Sequence, residues 1–207
     1  MNLNKRFISK KENFRLEHTH PDLEQTLSQK IISWLPSAPR EYIIVCIGTD
    51  RSTGDSLGPL TGTLLMKKKP RHLTIYGTLA HPVHATNLSD YVKAIGHQHR
   101  LPFIIAIDAC LGKTSSVGHV IASQGALKPG AALNKPLPEI GDIHVTGVVN
   151  IGGFMEYSVL QNTRLAHVVQ MAEKIADTFD LVDQRLTYDR TTPAVVLPQT
   201  NDHTLSL

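Results

Sequence analysis

The chain has 207 residues, 41% of them apolar and 19% charged, with 21 Lys and Arg against 18 Asp and Glu. That length fits one domain with small additions, and the apolar share excludes a disordered chain. A net charge of +3 with no clustered basic stripe argues against nucleic acid as a partner.

No window reaches the roughly 18 apolar residues of a membrane-spanning helix, so no membrane partner is expected. The basic start, Met1 to Lys11, is not followed by the apolar stretch of a secretory signal, so a cytoplasmic location is expected. Cys46 and Cys110 each lie in an apolar, strand-like run, which predicts reduced, buried thiols rather than a disulfide. Eleven His residues make metal or acid–base chemistry worth tracing.

Residues 1–20 are polar and basic and read as a loosely held arm. Leu23, Leu27, Ile31, Ile32 and Leu35 recur at helical spacing, and Pro36 and Pro39 stop that helix. Glu41–Ile47 is a continuous β-branched, apolar run, the pattern of a strand covered on both faces. The loop 48–54 leads into a helix predicted over Ser56–Lys69, with Lys67, Lys68 and Lys69 at its negative end. A strand over His72–Thr78, a loop containing His81 and His84, and a helix from about Asn87 to His97 follow.

Pro102–Asp108 is a second buried strand, Val117–Ser123 a shorter one, and 125–138 an irregular Gly/Pro-rich excursion. Asp142–Val149 reads as a strand, with a helix after Gly152-Gly153 and an amphipathic helix over Leu165–Phe179. From Gln184 to Leu207 the composition turns polar, as in a tail. The expected organisation is an arm (1–20), one domain (21–183) and a tail (184–207). Strands alternating with helices predict an α/β fold with a mainly parallel sheet and helices on both faces. Ligands of such sheets bind beyond the carboxyl ends of the strands.

Two loops at such ends carry acids. The first, Gly48 to Pro59, lacks the Lys of a phosphate loop and places Asp50 and Asp55 where a phosphate needs donors. Asp55 reads either as a helix N-cap or as a site group. Asp108 closes the apolar run Pro102–Asp108, either capping the next turn or facing the active edge of the sheet. His144, in His144-Val-Thr-Gly147, is the third candidate. Asp50, His81 and His84 are candidate substrate-binding groups, since their loops border the same strand ends.

The pattern Gly54-Asp55-x-x-Gly58, Ile107-Asp108-Ala109 and His144-x-x-Gly147 resembles the hydrogenase-maturation endopeptidases. In that family an acid, a strand-ending Asp and a His gather around a metal, which implies Asp55, Asp108 and His144 as ligands of one divalent ion of the Zn, Ni or Mn class. Asp stands where Glu is frequent at the first position, shortening that ligand by one methylene. The first two motifs also resemble the spore germination proteases, whose paired Asp residues are proposed catalytic acids. Cys46 to Pro59, His81 to Asn87 and Ile107 to Gly112 are most similar to the YyaC family of sporulation proteins, over roughly residues 22–182. The resemblance implies a phosphorylase/hydrolase-like three-layer sandwich, a protein or peptide substrate and a place in the sporulating cell or forespore.

The expected activity is hydrolysis of a peptide bond by Asp55 and Asp108, metal-assisted or as an acid–base pair. A helix start lowers the pKa of Asp55, which favours Asp55 as base or ligand and Asp108 as the proton holder. A non-catalytic sporulation protein binding a peptide or metal on the same fold is the alternative. A third reading takes Gly54-Asp55-Ser56-Leu57 as the signature of a serine esterase with Ser56 as nucleophile. The Asp-x-x-His that such enzymes carry is absent from the chain.

Overall fold

A computed structural model describes residues 12–129, 137–188 and 194–196. Six strands form one sheet in the order β1-β5-β6-β4-β2-β3. These are β1 (Asn13–Glu17), β2 (Glu41–Cys46), β3 (Leu73–Tyr76), β4 (Pro102–Gly112), β5 (His119–Gln124) and β6 (Ile143–Ile151). The pairs β3–β2, β2–β4 and β4–β6 are parallel, whereas β6–β5 and β5–β1 are antiparallel. The sheet is therefore mixed and mostly parallel.

The β-branched run 41–46 lies inside the sheet because its side chains are apolar on both faces. Tyr42, Ile44 and Cys46 join the larger core, with Ile105, Ile107 and Val145 from neighbouring strands. Over that core lie α1 (Leu23–Trp34), α2 (Leu57–Lys67) and α5 (Leu165–Gln184). Ile43, Val45 and Ile47 point the other way and pack with Ala106, Val83, Leu88 and Ile95 beneath α3 (Leu88–Gln98). Helices cover both faces, giving an α/β three-layer arrangement. Helix α2 reaches the sheet through a small residue: a Cβ on Gly62 would stand 2.0 Å from the Gly77 carbonyl oxygen.

Several boundaries differ from the sequence reading. Residues 13–17, read as arm, form the edge strand β1, because Phe14 and Leu16 alternate with polar neighbours and pack on the larger core. Residues 1–11 lie outside the described residues. The segment read as tail begins with the last residue of α5, Gln184, and carries a small antiparallel ladder, β7 (Leu186–Tyr188) with β8 (Ala194–Val196); residues 189–193 and 197–207 lie outside the described residues. The helix expected from Ser56 begins at Leu57, after a single 3-10 turn over Gly54–Ser56. Strand β4 runs four residues beyond Asp108, since β6 continues beside it to Ile151. A short helix, α4 (Glu156–Gln161), follows the Gly152-Gly153 pair.

Candidate active site

The parallel strands end on an open cleft of about 500 Å³. Its floor is Asp108, Ala109, Cys110 and Leu111 of β4, with Thr146 of β6. Its walls are the loop from Gly48 to Arg51 with Asp55, the turn from His84 to Thr86, the segment Leu127–Pro129, and Glu156, Tyr157 and Leu160 of α4.

Asp55 reaches this cleft because the loop after β2 folds back on itself. Gly48 has φ +143°, and a Cβ there would lie 2.0 Å from the Asp55 carbonyl oxygen, which also accepts from the Thr49 N–H at 3.2 Å. The position opening α2 is Ser56, and Asp55 does not cap the helix. Among the described residues the Asp55 carboxylate has no hydrogen-bond donor, and burial raises its pKa above the ordinary carboxylate value. The lowering expected from a helix start does not appear: Asp55 sits within a three-residue 3-10 turn, where desolvation outweighs the weak dipole.

Asp108 pairs with Thr146 in the β4–β6 ladder. Its Oδ1 accepts from the Ala109 N–H at 2.8 Å, which favours the charged form. Burial opposes this more strongly and the Asp55 charge adds to it, so the Asp108 pKa is raised well above the ordinary range. Two neighbouring carboxyls thus hold protons unequally: Asp108 keeps its proton while Asp55 gives its own up first.

His144 does not join them. It lies two residues before Thr146 on β6, roughly 7 Å back along the strand, and its Nδ1 bonds the Gly125 carbonyl oxygen at 2.8 Å. It is not among the cleft-lining residues. Among the described residues no group of three His, Cys, Asp or Glu side chains is placed to hold a metal ion. The donor set implied by the resemblance therefore does not fit one resident ion.

The other candidates divide. Asp50 and His84 line the cleft, with His84 Nδ1 bonded to Thr86 Oγ1 at 2.9 Å. His81 is exposed and outside the cleft lining. Ser56 is buried and its hydroxyl donates to the Thr53 carbonyl oxygen at 2.6 Å, so it presents no nucleophile to the cleft. Cys46 and Cys110 are free thiols, Cys46 buried and Cys110 half-buried.

Residues missed in the sequence complete the site. Thr146 hydrogen-bonds Cys110, whose pKa is raised mainly by burial. Cys110 stands two positions after Asp108, and the period of a strand puts both side chains on one face; that signal was available. Arg51, Glu156 and Tyr157 come from loops and a short helix whose approach no local pattern announces.

Residues 12–178 match the model of a family described as "Protein of unknown function (DUF1256)". The chain belongs to this family. It is 52% identical over 148 residues, 72% of each chain, to the uncharacterized protein YyaC of Bacillus subtilis strain 168. The fold of this DUF1256 member is similar to the crystal structure of a [NiFe] hydrogenase maturation protease, HycI, from Thermococcus kodakarensis KOD1. The TM-score is 0.50 at 15% identity, covering 77% of this chain and 99% of the other. No helix among the described residues is long and apolar enough to cross a membrane.

Proposed function

We propose that this DUF1256 protein is a peptidase that hydrolyses a peptide bond in a protein substrate, with Asp55 and Asp108 as its acid–base pair. The observation that carries the reading is the unequal pair itself: a desolvated Asp108 beside Asp55 in an open cleft at the strand ends. The fold shared with a maturation protease supports it, as does the resemblance of both Asp motifs to the spore germination proteases. Ionised Asp55 takes a proton from water while neutral Asp108 donates to the scissile carbonyl oxygen as the water attacks. The Ala109 N–H occupies one oxygen of Asp108, leaving the other to carry the proton. As the tetrahedral diol collapses, Asp55 gives its proton to the leaving amine nitrogen and Asp108 takes one from a diol hydroxyl, which returns both carboxyls to their starting states. Asp50 and His84 border the path of the substrate. The resemblance to sporulation proteins supports a substrate in the sporulating cell.

The test incubates wild type, Asp55→Asn and Asp108→Asn with extract of sporulating cells and maps new peptide termini by mass spectrometry. New termini with wild type and a loss of order 10² or more in each variant are expected. Termini produced equally by all three refute the assignment.

A further inference from the structure

The ladder between β2 and β4 ends at Cys46 and Ile107, and the Ile47 N–H makes the last bond, to the Ile107 carbonyl oxygen at 2.7 Å. Gly48 then turns away to bond Val83. β4 nevertheless continues to Gly112, paired on its other side with β6 through Gly112 and Ile151. Peptide groups of a strand alternate sides. Ile107 faces β2, whereas the Gly112 carbonyl accepts from Gly152 on the β6 side, so Ala109 and Leu111 face away from β6. The Ala109 N–H is taken by Asp108. Among the described residues no partner reaches the Ala109 carbonyl or the Leu111 N–H and carbonyl. Both residues line the cleft.

A strand edge interrupted inside a cleft is an acceptor for one more strand. Leu111 is three residues from Asp108, roughly 10 Å along the strand, so a chain paired there passes the two acids. Beyond the Gly112 end lies an apolar rim: Ile151, paired with Gly112, then Phe154 at 90%, Met155 at 65% and Tyr157 at 61% exposure. Met155 holds φ +56°, a left-handed conformation rare for an unbranched side chain, at the start of α4. Tyr157 also lines the cleft, which makes rim and cleft continuous.

We propose that the substrate binds as an extended peptide added to the open edge of β4, its backbone paired with Ala109 and Leu111 and a bulky apolar side chain seated on the Phe154–Tyr157 rim. This rests on the peptidase reading for the identity of the ligand and adds its binding mode: affinity comes from backbone pairing, selectivity from the apolar rim.

The probe is a panel of synthetic decapeptides with a central Leu or Phe flanked by Val, Thr and Ser, together with versions N-methylated at alternate residues in either of the two registers. Amide hydrogen exchange is followed in Asp108→Asn, and in Asp55→Asn should the first variant not fold, so that peptides survive; cleavage is followed in wild type. Slowing of Leu111 amide exchange by at least tenfold is expected, with one methylation register abolishing it and the other leaving it intact. Equal effects of both registers, cleavage without protection of Leu111, or no protection by any peptide would overturn the proposal. Register-dependent protection without cleavage by wild type overturns hydrolysis and leaves the strand addition standing.

Discussion

Asp108 illustrates how the burial of one carboxyl makes stability depend on pH. Its folded pKa lies well above the unfolded value near 4, so the folded state holds a proton that the unfolded chain releases. Stability is therefore greatest below about pH 4 on this account and falls as pH rises through the folded pKa. Asp108→Asn removes that loss. Its melting temperature should exceed wild type by several degrees at pH 8, at about 2–4 °C per kcal/mol for a chain of this size, with the gap closing near pH 4; calorimetry across pH reads it directly. Catalysis has the matching signature. The proposed mechanism requires Asp55 ionised and Asp108 protonated, so kcat should rise through the pKa of Asp55 and fall through the higher one of Asp108. Asp108→Asn should abolish turnover at every pH.

At the scale of elements, the loop after β2 and the 3-10 turn before α2 bring Asp55 to the cleft that Asp108 lines. Gly48 is the hinge of that arrangement, since a Cβ there collides with the Asp55 carbonyl oxygen in a backbone conformation that side chains rarely adopt. Gly48→Ala should displace Asp55 and cut activity by tenfold or more while circular dichroism still shows the folded domain. Gly62→Ala acts elsewhere. It drives α2 away from β3, where a Cβ meets the Gly77 carbonyl oxygen at 2.0 Å. The strain of such overpacking, about 1–3 kcal/mol or more, should appear as a lower denaturation midpoint in urea. Comparing the two variants separates a lost site from a loosened fold.

For the whole molecule, the sheet is closed at one end by β1, which pairs with β5 from Asn13 to Glu17. Arg15 ties it down further by donating to Ser116 Oγ at 3.0 Å. His18 continues the contact, its backbone N–H bonding the Gly118 carbonyl at 2.8 Å. Truncation to a chain beginning at residue 19 should bare the β5 edge and uncover the core beneath Phe14 and Leu16. Lower thermal stability and concentration-dependent association, read by light scattering, are the expected results. β1 contributes no residue to the lining of the cleft. Removing β1 should therefore lower stability without abolishing cleavage by the fraction that stays folded.

What the amino-acid order determined by itself is the framework. Continuous β-branched runs at 41–47 and 102–108 can be covered only in the interior of a parallel sheet, and the apolar stripe of 165–179 must lie against it, because burial acts on local pattern. Asp55 and Asp108 were legible as site candidates from local pattern, Asp55 in the loop that leaves one buried apolar run and Asp108 as the acid that closes another. Tertiary structure decided the remainder. The role of β1 depended on β5, more than a hundred residues away, offering an edge to a short segment of weak pattern. His144 was drawn from the cleft by the Gly125 carbonyl, a partner that motif spacing cannot reveal. Ser56 was turned inward by the Thr53 carbonyl, although its tetrad matched an esterase signature. The open edge of β4 exists only because β2 stops before its neighbour does. Strand lengths in a sheet follow from pairing across the fold, and pairing is not a property of any one segment.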